Sequence, residues 1–348
     1  MVEAVRVAVA GAGLIGRKHI AAIAQTEGAA RLVAIADPGE AARGLASELG
    51  VPWFQDISSL LEKGRPDGLV IATPNQAHVE NGLEAIAAGI PALIEKPVAI
   101  GSEEGERLVN AGEAAGVPLL AGHHRRYNPL IEKAKSLIDD GHLGQVVSVN
   151  VMGWLFKPSD YFAPEWRRQP GAGPVYTNLI HDIDLMQHLC GPVEKVSCFA
   201  SRQTRGHAVE DSAVISFVFE SGALGTANIS DTAVAPWSWE LTARENPAYP
   251  PTGEACYLIG GTHGSLELPS LKLWHQVELR SWWEPIDTSQ LTFSFEDPLV
   301  RQMRHFAGVI RGKEAPRVTA RDGLQALRVI EAILQSAKEE GPVTIGQG

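Results

Sequence analysis

Three groups of residues have the types and spacing to do chemistry together. Gly11-Ala12-Gly13-Leu14-Ile15-Gly16 follows the apolar run Val5–Ala10 and opens a helix-like run over residues 14–25. In that setting Gly11 permits a tight turn, Gly13 lets backbone approach a pyrophosphate, and Gly16 allows helix to pack closely on strand. Phosphate oxygens would then rest on backbone N–H groups around Leu14 and Ile15, at the positive end of the helix. Asp37 closes the next apolar run about 20 residues on, where a carboxylate accepts hydrogen bonds from adenosine ribose hydroxyls and repels a 2′-phosphate. The spacing favours NAD, with NADP possible through Arg43; Asp37-Pro38-Gly39 also has the composition of a turn. Glu95-Lys96-Pro97 ends a further short apolar run and puts an ammonium group beside that crevice. The reading is a nicotinamide cofactor next to an acid–base residue, and hence redox chemistry.

The elements that must position these groups alternate. Residues 5–10, 32–36, 69–72, 92–94 and 117–121 read as apolar strands, with helices over 14–25, 78–88 and from Ser102, the expected N-cap. Alternation of this kind predicts a doubly wound parallel sheet with ligands at the carboxyl ends of its strands. Thr73, Pro74, Asn75, Glu95, Lys96 and Pro97 all sit at such ends, and His78 is expected to brace the Thr73–Asn75 loop on the cofactor side. His19, just past the glycines, reads as helix packing.

From Gly144 the texture changes to partly alternating strands over 146–154, 193–202, 209–219 and 223–231, with strand-like pieces across 255–283 and amphipathic helices over 298–311 and 321–338. The expected division is residues 1–122 as an NAD-binding domain and 123–348 as a second domain, to which the family resemblance carried by the motifs at 11–16, 95–97 and 178–185 assigns substrate binding and oligomerisation.

Composition narrows the partners. The chain has 348 residues and a formal net charge of −11, without a basic run, which argues against nucleic acid and anionic membrane. No stretch approaches the roughly 20 apolar residues that span a bilayer. Cys190, Cys198 and Cys256 are too sparse for a disulfide framework, and the first residues carry neither a basic n-region nor an apolar h-region. A cytoplasmic location is the expectation. No Cys/His spacing suggests a metal.

The glycine motif, the aspartate ending the second strand, Ala-Thr-Pro-Asn at 72–75, Glu-Lys-Pro at 95–97 and Asn-Leu-Ile-His-Asp-Ile-Asp-Leu at 178–185 together resemble the glucose–fructose oxidoreductase / inositol dehydrogenase (Gfo/Idh/MocA) family over nearly the whole chain. The resemblance implies a Rossmann domain followed by an α/β domain on a large, open, mostly antiparallel sheet whose outer face joins a homodimer or homotetramer. It implies that Lys96 contacts the reacting oxygen, that the Lys96–Pro97 bond is cis, and that His181 relays the substrate proton, a role suited to imidazole. Many members carry an aspartate four residues before this histidine. Thr177 stands there instead, with Asn178 next, so no Asp–His pair exists at that spacing. Asp184 shares a helix face with His181, and Asn178 is expected to position substrate.

Two loops read as substrate walls: residues 122–129, with Arg126 and Tyr127, and residues 154–168, with Trp154, Lys157, Trp166 and Arg167. Aromatics stack on ring faces and arginine grips carboxylates bidentately, so Lys157 and Arg167 are expected to hold an anionic substrate. The same arginines are also compatible with solvated surface charges. The function these readings imply is NAD(P)-dependent oxidation of a secondary alcohol on a sugar, cyclic polyol or carboxylated ring diol. The alternatives are a redox-neutral enzyme that keeps its NAD (lyase, glycosidase or epimerase) and a non-catalytic nucleotide sensor.

Overall fold

The computed structural model describes residues 3–276 and 279–346. β1 (Val5–Ala10), α1 (Leu14–Ala24), β2 (Ala30–Ala36), α2 (Glu40–Glu48), β3 (Trp53–Phe54), α3 (Ile57–Lys63), β4 (Gly68–Ile71), α4 (His78–Ala87), β5 (Ala92–Ile94), α5 (Ser102–Ala115) and β6 (Leu119–Ala121) alternate along the first part of the chain. After them come α6 (Pro129–Asp139), β7 (Val146–Trp154), α7 (Ile180–Cys190), β8 (Val193–Ser201), β9 (Ser212–Phe219), β10 (Leu224–Ser230), α8 (Trp239–Thr242), β11 (Tyr257–Gly261), β12 (Gly264–Leu268), β13 (Lys272–His275), β14 (Asp287–Gln290), α9 (Pro298–Ile310), α10 (Ala320–Glu339) and β15 (Val343–Thr344). The chain forms two compact units: Met1–Asn128 with Glu296–Leu327, and Pro129–Phe295 with Arg328–Gly348. A single boundary after residue 122 does not describe this division, because residues 296–327 pack with the first unit.

The first unit holds a six-stranded parallel sheet in the order β3-β2-β1-β4-β5-β6. β4, β5 and β6 are buried throughout, and β1 at every position but Arg6, which is why they read as apolar runs. β3 escapes the sequence reading because it is two residues long. The carboxyl ends align: Gly11 N–H donates to Ala36 O at 2.8 Å, Ala72 N–H to Ala10 O at 2.7 Å, Glu95 N–H to Ile71 O at 2.9 Å and Gly122 N–H to Ile94 O at 2.7 Å. Four motifs separated in sequence thus leave the sheet at one edge.

α1 buries Gly16, His19, Ile20 and Ile23, one face at helical period. α9 returns to this unit and adds Val300, Met303, Phe306, Ala307 and Val309 to the core around Val7, Val9, Ile23 and Ile35. It seats so closely that a Cβ on Gly68 would lie 2.3 Å from Ile310. The α5 N-cap is Gly101, with no side-chain bond, so Ser102 begins the helix rather than capping it.

The second unit is built on a nine-stranded sheet, β14-β13-β12-β11-β7-β10-β9-β8-β15, in which only the β7–β10 pair is parallel. Along β9, Ala213, Ile215, Phe217 and Phe219 are buried while the alternate residues face out. Gly225 leaves room for Met186 of α7; a Cβ there would meet Phe219 and Val149 at 3.0 Å and Met186 at 3.4 Å. The opposite face carries a row of Ser197, Ser216, Thr226, Asn150 and Leu258.

Because Phe306 is wholly buried in the first unit's core, Phe306→Ala should cost about 3–5 kcal/mol, read as a lower urea midpoint. A loss under about 1 kcal/mol would contradict the placement of α9 in that core.

Candidate active site

In the first unit the glycine loop has the shape of an anion cradle. Gly11 adopts φ +87°, and a Cβ there would lie 2.3 Å from Ala72 O; a Cβ on Gly16 would lie 1.9 Å from Gly11 O. Both positions demand glycine. A Cβ on Gly13 would meet no protein atom within 4 Å, so the space over that residue is open. Gly13 is also the N-cap of α1, and no side chain caps the first-turn N–H groups of Leu14, Ile15 and Gly16. Open space above uncapped N–H groups fits a pyrophosphate. Asp37 closes the loop: its Oδ2 accepts the Ala12 N–H and its Oδ1 the Gly39 N–H, both at 2.8 Å. Each oxygen keeps a lone pair for a ribose hydroxyl.

Thr73 Oγ1 donates to Asn81 Oδ1 at 2.9 Å, Pro74 is exposed, and Asn75 opens a short 3-10 turn. Buried His78 sets its ring nitrogens 2.7 Å from Pro97 O and 2.9 Å from Thr73 O. It therefore bridges the two loops, and any effect on a cofactor passes through them.

The Lys96–Pro97 bond is cis, as the resemblance implies. Glu95, only 6% exposed, lies 2.7 Å from His19 Nε2 and accepts the Lys96 N–H through its other oxygen at 3.2 Å. Burial pushes the Glu95 carboxyl up, but the hydrogen bond from His19 and the charges of His19, His124 and Lys96 outweigh it and hold it at about 2. Gly122 packs on Glu95 so closely that a Cβ would come within 2.9 Å of its Cα. His19 is thus more than helix packing, because it ties the glycine-loop helix to the Glu-Lys-Pro segment. Sequence reasoning lacked this partnership; the residues are 76 positions apart.

Arg126 and Tyr127, expected as substrate contacts, are buried inside the first unit. Arg126 pairs with Asp322 at 3.4 Å, and Tyr127 lies between His305 and Arg317, at 5.4 and 5.1 Å.

In the second unit, α7 is preceded by a π-helical turn, Val175–Leu179, which carries Thr177 and Asn178. His181 is half-buried on the first turn of α7, and Asp184 is buried on the same helix. Thr177 Oγ1 donates to Gly173 O at 2.9 Å and to Asn178 Oδ1 at 3.0 Å. Asn178 Oδ1 also accepts from Lys157 Nζ at 2.8 Å. Lys157, 6% exposed, stands 3.9 Å from Asp231, which Arg205 Nε binds at 2.6 Å. Burial lowers the Lys157 ammonium despite the opposing pull of Asp231, Glu240 and Glu210. Its charge is met by the protein's own carboxylates, in a void of about 10 Å³ lined also by Asp182 and Glu240. That space is no larger than a single water. The geometry gives no support to Lys157 as a grip for an anionic substrate.

Arg167 donates to Tyr161 O at 2.7 Å and stacks 4.1 Å over the Tyr161 ring, which also has Lys157 Nζ at 5.0 Å. Tyr161 therefore gathers both expected cations, while Trp166 is 60% exposed beside them. Trp154 points elsewhere: its indole donates to Asn228 Oδ1 at 2.8 Å and packs against Trp237. Asp231, Glu240 and Arg205 carry no sequence signal; Asp231 meets Lys157 because β7 and β10 run side by side, and Glu240 comes from α8. Among the described residues no group of three His, Cys, Asp or Glu is arranged to hold a metal, and no helix is long and apolar enough to cross a membrane.

Glu95→Gln keeps shape and removes charge. A carboxyl lowered from 4.5 to about 2 stabilises the fold fully above pH 4.5, and this is lost as pH falls towards 2. The deficit of the variant should be on the order of 3 kcal/mol at neutral pH and clearly smaller near about pH 3. Urea melts at the two pH values compare the gaps, and equal gaps would rule out an ionised Glu95 as the source.

Residues 5–123 match the family model described as "Oxidoreductase family, NAD-binding Rossmann fold", and residues 135–345 match "Oxidoreductase family, C-terminal alpha/beta domain". The chain is 27% identical to the rhizopine catabolism protein MocA of Rhizobium meliloti over 94% of its own length and 93% of that protein. It is also 27% identical to the scyllo-inositol 2-dehydrogenase (NAD(+)) of Bacillus subtilis (strain 168), over 99% and 97%. The crystal structure of the WlbA dehydrogenase from Bordetella pertussis, in complex with NADH and UDP-GlcNAcA, superposes with a TM-score of 0.80 at 28% identity, covering 99% of this chain and all of that one. With both halves matched and the nucleotide cradle built as its glycines demand, the chain belongs to the Gfo/Idh/MocA family of oxidoreductases, and its first unit is that family's NAD-binding Rossmann fold.

Proposed function

We propose that the chain is an NAD-dependent dehydrogenase that oxidises a secondary alcohol of an uncharged sugar or cyclic polyol. The observation that carries this reading is the common edge of the first unit's sheet, where open space over Gly13, the Asp37 carboxylate and Lys96 held by Glu95 come together. The backbone around Gly13, Leu14, Ile15 and Gly16 receives the pyrophosphate, and Asp37 selects the 2′-hydroxyl of NAD over a 2′-phosphate. The loops of Thr73, Pro74, Asn75 and Pro97, joined by His78, line the rest of the nucleotide path. Bound NAD supplies the hydride acceptor.

Lys96 orients and polarises the reacting hydroxyl, and His181 takes its proton. Asn178, fixed by Thr177 and Lys157, positions another hydroxyl. With Thr177 at the position four residues before it, His181 works without the flanking carboxylate of many relatives. An uncharged substrate is favoured because Lys157 already faces Asp231, with Glu240 and Glu210 pulling on the same charge. The relative named as a scyllo-inositol 2-dehydrogenase supports the same class, whereas the UDP-GlcNAcA of the WlbA complex is anionic.

The exposed sheet face with Phe199, Val214, Leu224 and Leu258 is the surface we assign to a homodimer or homotetramer. Cys190, Cys198 and Cys256 are buried and outside any disulfide, and burial pushes the first two thiols up to about 12; this supports a reducing, cytoplasmic setting.

A panel of inositols, neutral sugars and sugar acids with NAD should yield NADH from a neutral member. Lys96→Ala should lower kcat about a hundred- to ten-thousand-fold while NAD still binds; full turnover in that variant, or a preference for acids, would overturn the reading. Val214→Glu with Leu258→Glu should shift the sedimenting species to monomer, and an unchanged oligomer would remove this face from the interface.

A further inference from the structure

The second unit contains a cavity of about 570 Å³ that none of the catalytic assignments uses. It lies among the Pro170–Gly173 loop, Tyr176 of the π-helical turn, the end of β8, the loop before β9 and the last turns of α10. The volume falls within the roughly 300–1,000 Å³ of small-molecule sites. Tyr176, Val209, Leu334 and Ala337 give it apolar walls. Its one acid is Glu210, whose Oε1 accepts the Val175 N–H at 3.0 Å. The Glu210 backbone N–H also binds the carboxylate, and no described side chain donates to it, so its two oxygens keep acceptor capacity. The carboxylate lies across Gly173 so closely that a Cβ there would be 2.1 Å from Oε1. Glycine at 173 is what admits it. Burial raises the Glu210 carboxyl, and the opposing pull of Lys157 does not offset it. The cavity's two cations, Arg202 and Lys338, are both exposed and so stand at its rim.

This arrangement selects by charge pattern. A simple amine would find the half-buried acid but meet two cations at the mouth, and a simple carboxylate would find the rim but leave the acid unanswered. A molecule with both charges and an apolar body satisfies all three features. We propose that this cavity binds a small amino-acid-like zwitterion, its ammonium on Glu210, its carboxylate at Arg202 and Lys338, and its side chain against Leu334 and Val209.

The test is calorimetric titration of the full chain with L-leucine, isovalerate and isopentylamine. L-leucine should bind saturably and at least about tenfold more tightly than either single-charge analogue. Leu334→Trp, which fills the cavity, should abolish this binding, and Glu210→Gln should weaken leucine about tenfold while leaving isovalerate unchanged. Should Leu334→Trp fail to fold by circular dichroism, Ala337→Leu replaces it. No saturable binding by any probe, equal binding of leucine and isovalerate, or leucine binding that survives a filled cavity would each overturn the proposal. NAD titration of the same samples keeps this outcome separate from that of the dehydrogenase reading, since the cavity shares no residue with the nucleotide cradle.

Discussion

The first unit's chemistry depends on a buried carboxylate that stays ionised. Glu95 sits at the edge where four strands release their loops, and it is held charged by His19 from α1. A charge taken out of water is costly unless its partners are fixed. Those partners are fixed here, since His19 stands on a helix packed against the sheet and Gly122 closes on the other side. The carboxylate in turn takes the Lys96 N–H. The phosphate-binding helix and the lysine are therefore coupled through one hydrogen-bonded pair, so neither can shift without disturbing the other.

The second unit also buries charge, with a different consequence. Lys157 and Arg205 share Asp231 beside Asn178, and Glu240 and Glu210 add opposing charge around the lysine. A lysine beside aromatics reads in sequence as an anion grip; once carboxylates from β10 and the α8 region surround it, the same lysine becomes a clamp on an amide side chain. Its contribution is orientation of the π-helical turn before His181.

The chain's path explains why composition alone misplaces α9. Its apolar face has the period of any packed helix, and nothing local states which sheet it covers. Phe306 and Met303 complete the core beneath β1 and β2, so the first unit is finished only after the second has been traversed. Gly68, which could not carry a side chain against Ile310, records the same packing from the sheet side.

Local regularities were legible in the sequence: the alternation that makes a doubly wound sheet, the three glycines whose crowding or openness the structure bears out, the aspartate at the end of β2, the cis-proline motif, and the helix carrying His181. These depend on periods of two and 3.6 residues and on backbone geometry that a few side chains dictate. Only the tertiary structure decided the partners of the charges. Glu95 with His19, Arg126 with Asp322 and Lys157 with Asp231 join residues far apart in the chain, and strand order rather than spacing brings them together. Whether a cation faces solvent, a ligand or a buried carboxylate is set by those long-range pairings, which no local spacing encodes.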